Sequence, residues 1–413
     1  MTDSTPRRAV ITGLGVIAAN GIGKEAFWQA TSKGISGIKP LSRIATENLP
    51  ISVAGEVSDF AANDFMNRKL AHTTDRMTHL AFAAVQEALL DANIVLAEED
   101  PNCVGVVIAN TTGGVGYALE QLHVSYRRGP HFISAHTATA WLHVANVGQM
   151  SIRYRIQGYC KTPVNDTAGG LDAIGMAYNA IRRGAADVII AGGTEAFLQP
   201  EVLLVMANSG QCAKGDDPQA YRPFDRRAAG LLLAEGAGIC IVEEYEHAQR
   251  RGATIYGEIV GYGQSNDASG QKMPAADGTQ YARAMRLALQ EARLSPYDVA
   301  FVSLDGRAIP ASDRSEAEAL HTVFGSHLAQ VPLSVPRTML GHSFAAAGAL
   351  DTITVLLSLQ HNLIPPTINC EELDPRYGLN LVREEARPFL GSAVLVGGRS
   401  IGGANVVVAL QKV

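Results

Sequence analysis

The chain has 413 residues, of which 47% are hydrophobic and 18% charged, with a formal net charge of −6. This length is sufficient for two large lobes. The modest negative charge predicts no basic surface for nucleic acid. No apolar run is long enough to predict a membrane span. Five scattered cysteines without a CxxC pair and an N-terminus without a long apolar stretch predict reduced thiols in a cytoplasmic protein, with no metal site.

Apolar runs alternate with helical stretches in the first half of the chain. Residues 8–18 predict a buried strand, as do residues 104–109 and 187–193. Between the first two strands, residues 73–92 predict a helix. Its apolar residues fall mainly on one stripe, which comprises Met77, Leu80, Ala81, Ala84, Leu89 and Leu90. Strands alternating with helices predict an α/β fold.

The second half of the chain repeats this alternation of apolar runs and helical stretches. Residues 255–263 predict a strand similar to the first, followed by a helix at 278–292 and a strand at 299–304. Two more strands, 393–397 and 406–410, close the chain. The pattern indicates a loose duplication of one α/β unit, with halves at residues 1–252 and 253–413. Because no low-complexity linker separates them, we expect the halves to pack as one body.

Residues 165–175 read NDTAGGLDAIG and predict a sharp turn into a buried helix that starts near Thr167. Gly169 and Gly170 permit close approach of chain or ligand there. Further segments accompany this turn, namely AGGTEA at 191–196, RPFD at 222–225, AEGAG at 234–238, GHS at 341–343 and GGAN at 402–405. Together they resemble the β-ketoacyl synthase family over nearly the whole chain. The resemblance implies a thiolase-like fold, two similar halves in a five-layer α/β/α/β/α arrangement that is normally dimeric.

The same resemblance implies that the catalytic framework is degenerate. Thr167 stands where the family has its nucleophilic Cys, and Asp305 stands where it has the first of two His. The second His is His342, and Arg337 replaces the usual Lys five residues before it. A threonine hydroxyl stays protonated at neutral pH unless a base activates it, and an ionised Asp305 would repel a developing enolate. We therefore expect no catalytic residue in this pocket.

One branch of the family resembles this pattern more specifically, namely the chain length factors, or ketosynthase β subunits, of type II polyketide synthases. The resemblance rests on AGGLDA at 168–173, DG at 305–306, DRSEA at 313–317, and Ser134-Ala135 through Ala140-Trp141. It departs where that branch often carries Gln at the position of Thr167 and often lacks the His retained as His342. Arg399 and Ile401 also replace an aromatic pair common near the Gly-Gly-x-Asn motif.

The branch implies a subunit that forms a heterodimer with a Cys-bearing ketosynthase α subunit, using the strand at about 158–166. It implies an acyl carrier protein and the growing polyketide chain as further partners, with neither nucleic acid nor membrane. No cofactor is expected on this chain, since the phosphopantetheine arm belongs to the carrier protein. The alternative is a divergent β-ketoacyl synthase or thiolase-like acyltransferase that uses Thr167 or Cys160, or a malonyl-carrier-protein decarboxylase that relies on His342, with an activity of its own.

The resemblance also implies a substrate tunnel along the helix after Gly113-Gly114. Val115, Ala118 and Leu122 follow at helical spacing and share one face, and Thr139 matches a further tunnel position. No aromatic ring stands among these four side chains. Bulky residues there would shorten the cavity.

Each assignment has an alternative interpretation. Thr167 could cap or pack the helix start, His342 could be a satisfied core histidine, and Cys160 an inert strand residue. Asp305 and Arg337 could pair inside a filled pocket or point into solvent. The tunnel residues could be ordinary core at helical spacing.

Overall fold

The computed structural model describes residues 6–270 and 273–413 and contains a main sheet of 11 strands. Ten of these strands form two matching halves, and the remaining one, Gly21–Ile22, pairs with the first strand. The first half comprises β1 (Ala9–Ala18), β2 (Val104–Ala109), β3 (Cys160–Lys161), β4 (Val188–Glu195) and β5 (Gly236–Glu244). The second comprises β6 (Gly257–Asn266), β7 (Val299–Ser303), β8 (Leu333–Ser334), β9 (Ala393–Arg399) and β10 (Ala404–Gln411).

Helices fill the connections between these strands. The α-helices are α1 (Lys24–Ser32), α2 (Arg68–Thr73), α3 (Arg76–Asp91), α4 (Val115–Arg128), α5 (Thr137–Ala140), α6 (Ala145–Tyr154), α7 (Gly169–Arg182), α8 (Pro200–Ser209), α9 (Tyr245–Arg250), α10 (Thr279–Ala292), α11 (Pro310–Phe324) and α12 (Ala345–His361). Short strand pairs, Lys39–Pro40 with Val53–Ala54 and Leu363–Ile364 with Arg387–Pro388, lie outside the main sheet. Within the described ranges, no helix is both long and apolar enough to span a bilayer.

The two halves have the same strand order and the same directions. The first half runs β1-β5-β4-β2-β3 and the second β6-β10-β9-β7-β8. In each, the first two pairings are antiparallel and the last two parallel. β1 and β6 join the halves through three antiparallel residue pairs, Ala9 with Ile259, Val10 with Glu258 and Ile11 with Gly257. The predicted duplication is therefore present at the level of every strand.

Five layers result from where the helices lie. The two central helices, α7 and α12, contact each other and lie between the sheet halves, and α12 is buried from Ala345 to Leu359. α3 covers the outer face of the first half at β1 and β5, and α10 covers β6 and β10 of the second. The predicted thiolase-like α/β/α/β/α arrangement is confirmed.

The approach of α7 to α12 depends on a residue without a side chain. A Cβ added to Gly170 would lie 2.3 Å from the carbonyl oxygen of Ala345. The expected close approach at the start of α7 is thus made by the chain's own second half. Because α7 begins only two residues after Thr167, this contact helps to hold Thr167 inside the body.

One detail of the predicted helix at 73–92 was wrong. Leu80, Ala84 and Ala88 are buried against the sheet, whereas Leu90 is 81% exposed. At 100° per residue, Leu90 lies about 80°, 120° and 160° around the helix axis from Leu80, Ala84 and Ala88, so it falls outside the buried face of α3.

Candidate functional site

Thr167 lies in a single 3₁₀ turn, Asp166–Ala168, directly before α7, and it is only 1% exposed. Its hydroxyl donates to the carbonyl oxygen of Arg399, which ends β9. In turn, Nη2 of Arg307 donates to Thr167 Oγ1 at 2.5 Å and also to the carbonyl of Arg399. Both hydrogen-bonding functions of the hydroxyl are therefore used within the protein, and a guanidinium group covers it.

Asp305 lies two residues beyond the end of β7 and is fully buried. Its Oδ2 accepts from Arg307 Nε at 2.8 Å, and its Oδ1 accepts from Arg337 Nη1 at 2.9 Å. The Nε of Arg399 lies 3.5 Å from Oδ2. Of the two interpretations offered for Asp305 and Arg337, pairing within a filled pocket is the one observed.

Two further buried carboxylates complete this cluster. Glu316, on α11, accepts the backbone amides of Asp305 and Gly306 at 2.9 Å each and lies 3.5 Å from Arg399 Nη2. Asp351, on α12, accepts from Arg337 Nε at 2.6 Å. The three arginines thus face the three carboxylates of Asp305, Glu316 and Asp351, which compensates charges that burial would otherwise penalise. We call these six residues the Arg–carboxylate cluster.

The surroundings shift the pKa values of the three carboxylates in the cluster in different directions. Burial alone would raise the pKa of Asp305, but Arg307, Arg337 and Arg399 hold it well below its usual range. Burial raises the pKa of Asp351 to about 6, against the opposing effect of Arg337. Burial likewise raises the pKa of Glu316. Of the three carboxylates, Asp305 is therefore the one whose ionised form the neighbouring arginines stabilise most.

His342 is also fully buried, beside Arg337. Its Nε2 lies 3.1 Å from Arg337 Nη1, and its Nδ1 lies 3.2 Å from the amide of Phe344. Burial, and then the charges of Arg337 and Arg307, hold the pKa of His342 well below its usual range. A neutral imidazole has one acceptor nitrogen, so it accepts from one of these donors at a time. Its surroundings match those of a core histidine.

The predicted tunnel residues lie elsewhere, on and near α4. Val115 begins this helix and packs partly against the neighbouring core, whereas Ala118 is half-buried and Leu122 is 47% exposed. Thr139 is exposed on the short helix α5. Since α4 contains no buried residue, these side chains are not ordinary core of this chain. Their role as tunnel lining stays a prediction.

Large apolar side chains are exposed along the stretch from α4 to the nucleophile-like turn. They are Leu122, Tyr126, Phe132, Ile133, Trp141, Leu142, Val144, Ile152 and Val164. β3 lies at the edge of the sheet in the same stretch and pairs only with β2 among the residues described. Exposed apolar side chains beside an open strand edge are typical of a surface that another chain covers.

Sequence analysis missed the residues that close the pocket. Arg307 received no role there and Arg399 was noted only as a replacement for an aromatic residue, yet both are 1% exposed and contact Thr167 or Asp305. One signal was present in the sequence, namely an arginine two residues after Asp305 in an otherwise apolar segment. A buried carboxylate needs a charged partner, and Arg307 was the cation closest in sequence. Over residues 6–270 and 273–413, no three His, Cys, Asp or Glu side chains are grouped so that they could hold an ion.

Family profiles match most of the chain. "Beta-ketoacyl synthase, N-terminal domain" matches residues 7–248, and "Beta-ketoacyl synthase, C-terminal domain" matches residues 256–371. The tetracenomycin polyketide synthase ketoacyl synthase beta subunit of Streptomyces glaucescens is 39% identical over 99% of both chains. A 3-oxoacyl-[acyl-carrier-protein] synthase 2 of Synechocystis sp. is 33% identical over 100% of both.

Solved structures agree with these relatives. The ishigamide ketosynthase/chain length factor superposes with a TM-score of 0.93 at 30% identity, covering 99% of this chain and 100% of the other. A second match is a chain from the structure of a type II polyketide synthase acyl carrier protein in complex with its ketosynthase bound to the hexaketide. It superposes with a TM-score of 0.90 at 28% identity. That match covers 99% of this chain and 100% of the other.

Proposed function

This chain belongs to the β-ketoacyl synthase family and resembles its polyketide ketosynthase β subunits over its full length, and from this we propose that it is a chain length factor. In this role the chain forms no carbon–carbon bond itself. It pairs with a Cys-bearing ketosynthase α subunit and shapes the tunnel that limits the growing polyketide in type II polyketide biosynthesis.

A single observation carries the non-catalytic part of the proposal, namely the guanidinium of Arg307 bound to the hydroxyl of Thr167. Acyl transfer needs a nucleophile that can lose its proton and a space for the acyl carbonyl beside it. At Thr167 the hydroxyl donates to a backbone carbonyl, which does not take up a proton, and accepts from Arg307 on its other side, while the surrounding charges are compensated within the Arg–carboxylate cluster. The pocket is filled by the protein's own side chains.

The same cluster disfavours decarboxylation. Loss of CO₂ from a malonyl thioester leaves an enolate, which a synthase stabilises with hydrogen-bond donors aimed at the developing negative charge. At one expected donor position, Asp305 accepts hydrogen bonds from Arg307 and Arg337 and so offers no donor, and His342 is enclosed beside Arg337 without exposed surface. The alternative functions, a divergent synthase and a malonyl-carrier-protein decarboxylase, both require this pocket to open.

Pairing with another subunit is supported by the surface around β3. A strand edge and several large apolar side chains are uncovered in this chain alone. Obligate interfaces are large and apolar, so a second ketosynthase-like subunit suits this surface. The acyl chain would arrive on a carrier protein, whose phosphopantetheine arm supplies the thioester, so no cofactor is needed on this subunit.

The test separates this chain from its partner. Purified alone and mixed with malonyl carrier protein, the chain should give neither an acyl adduct by mass spectrometry nor CO₂ release. Together with a Cys-bearing α subunit, it should support polyketide formation. CO₂ release by the chain alone would favour the decarboxylase, and an acyl adduct on Thr167 or Cys160 would favour the divergent synthase.

A thiol placed at the degenerate position tests the filled pocket directly. Thr167→Cys alone should acquire no acyl group from an acyl carrier protein, because Arg307 still occupies the adjacent space. Ser343→Cys, one residue after His342 and equally buried, is the matched control for a new thiol in the same region. Acylation of Thr167→Cys without any change at Arg307 would show that the pocket opens to substrate.

A further inference from the structure

α4 is positioned almost entirely by polar contacts. None of its side chains is buried, so apolar packing, which holds most helices in place, contributes little to its position. The side chains that hold the segment before α4 are different. Asn110 and Glu195 are fully buried, although both are polar.

These two residues bind the backbone leading into α4. Oε2 of Glu195, at the end of β4, accepts the amide of Thr111 at 2.8 Å. Its Oε1 accepts the amide and the hydroxyl of Thr112 at 3.2 and 2.6 Å. The amide of Gly113 donates to Oδ1 of Asn110 at 3.1 Å. Three consecutive backbone donors are therefore held by two buried side chains.

The next donor connects α4 to the segment that carries Thr139. The amide of Gly114 donates to the carbonyl oxygen of Trp141 at 3.0 Å, and Asn110 Nδ2 donates to the carbonyl of His143 at 2.8 Å. This contact leaves no room for side chains, since a Cβ on Gly113 would lie 2.3 Å from the Trp141 carbonyl oxygen. Asn110 thus touches both the turn before α4 and the segment after α5.

Contacts further along α4 reinforce this connection. The hydroxyl of Tyr117 donates to Ser134 Oγ at 3.0 Å, and Gln121 Oε1 accepts the amide of Ser134 at 2.8 Å. The amide of Tyr117 donates to Asp75, the N-cap residue of α3, at 2.7 Å. α4 and the segment 134–143 therefore form one hydrogen-bonded unit, anchored to the core through Asp75, Asn110 and Glu195.

From these contacts we propose that Asn110 and Glu195 are positioning residues for chain length. They hold α4, with Val115, Ala118 and Leu122, at a fixed offset from the segment with Thr139, although neither belongs to the predicted tunnel-lining set. The inference rests on the proposed function, because the offset matters for product length only if these two elements face the tunnel. We call Asn110, Glu195 and the four amides from Thr111 to Gly114 the α4 clamp.

The test uses the complex of this chain with its α subunit and combines two measurements. Asn110→Ala removes at once the hydrogen bonds to the Gly113 amide and to the His143 carbonyl. Thr112→Val, a milder change, removes only the hydroxyl bound to Glu195. Asn179→Ala, at an exposed site on α7, is the matched control. Hydrogen exchange reports how often the amides held by the clamp open, and product analysis reports the effect on chain length.

In Asn110→Ala we expect amide exchange to become about tenfold faster at both 111–117 and 139–143, because a buried hydrogen bond contributes on the order of that factor. The product length distribution should broaden while total turnover is kept, and Thr112→Val should show both effects more weakly. Faster exchange at 111–117 alone would overturn the proposed connection. Faster exchange at both segments with an unchanged product distribution would overturn the role in chain length.

A separate variant tests the tunnel itself. Ala118→Phe places a ring on the predicted tunnel face without touching the clamp. If it shortens products and the clamp variants leave the distribution unaltered, the clamp inference fails and the proposed function stands. If Ala118→Phe has no effect on product length, the tunnel assignment of the proposed function fails, and the exchange data alone then decide whether the clamp exists.

Discussion

Arg307 is the side chain that decides what a change at Thr167 can do. The guanidinium contacts the threonine hydroxyl, the Arg399 carbonyl and Asp305, so it remains in place through two other partners when the hydroxyl is lost. The Thr167 hydroxyl is thereby only one of several contacts in the hydrogen-bond network of Arg307.

Thr167→Ala should retain most of the condensing activity of the assembled complex. It removes two hydrogen bonds, which costs on the order of 1 kcal/mol each, but no reacting group. Changing the nucleophilic Cys of the α subunit is the control and should abolish product. A well-folded Thr167→Ala complex that makes no polyketide would contradict this expectation, as would an acyl-threonine in the mass spectrum.

His342 gives the complex a specific dependence on pH. Its pKa is depressed in the folded chain, so its stabilising contribution is present above the ordinary histidine pKa of about 6.5 and is lost as pH falls below it. The loss approaches about 1.4 kcal/mol per pH unit for one proton.

Urea unfolding of the complex at pH 7.5 and 5.5 measures this contribution. His342→Asn should lose less stability than the unchanged chain over this interval, because the variant has no imidazole to protonate. His131→Asn, at an exposed position, controls for loss of an imidazole in general. Parallel pH profiles for His342→Asn and the unchanged chain would mean that His342 is accessible to protons in the folded state.

At the level of single elements, α4 carries the prediction for product length. Ala118→Phe adds a ring to the predicted tunnel, and overpacking a confined site costs about 1–3 kcal/mol. This corresponds to a roughly tenfold to hundredfold bias against extension past the block. Shorter products should accumulate in chromatographic analysis, while the first condensation at the partner's Cys changes little.

The control for this prediction is a ring on the other side of the same helix. Glu120 lies two residues on and points about 160° away from Ala118 at 100° per residue, and its side chain is exposed. Glu120→Phe should leave product length unaltered. Equal product profiles for Ala118→Phe, Val115→Phe and the unchanged complex would show that this face does not line the tunnel.

Most strands could be predicted from the sequence, whereas the contacts inside the pocket could not. Buried strands such as β2 and β7 are short, near-continuous apolar runs, which their length and composition identify to within a residue. Thr167 and Asp305 were located through motifs and by resemblance. Arg399 could not be placed beside Asp305 from the sequence, because 94 positions separate them along the chain and only the folded sheet brings them together. The two-residue strand β3 is likewise too short for any periodicity to reveal.

At the scale of the whole molecule, the uncovered surface around β3 predicts obligate pairing. Co-expression with the α subunit should raise the soluble yield of this chain, since subunits with large apolar interfaces are poorly stable apart. Gel filtration with light scattering should show a one-to-one heterodimer. A monodisperse monomer or homodimer of this chain, active as a synthase on its own, would contradict the prediction.

The duplicated sheet has two ends, and the chain treats them differently. At β8, the segment 380–382 covers the outer side, with the amide of Leu333 donating to Asn380 and the amide of Val382 donating to Leu333. At the matching strand β3, no such cover is present in the described residues.

This asymmetry determines how assembly can end. A body with two open edges of matching shape could add copies head to tail without limit, as filaments do. With the β8 edge covered by residues 380–382, β3 is the open edge of the main sheet among the described residues. A single open edge favours a closed pair over a filament, and in the proposed role the concentration of that one partner would limit how much of this chain is assembled.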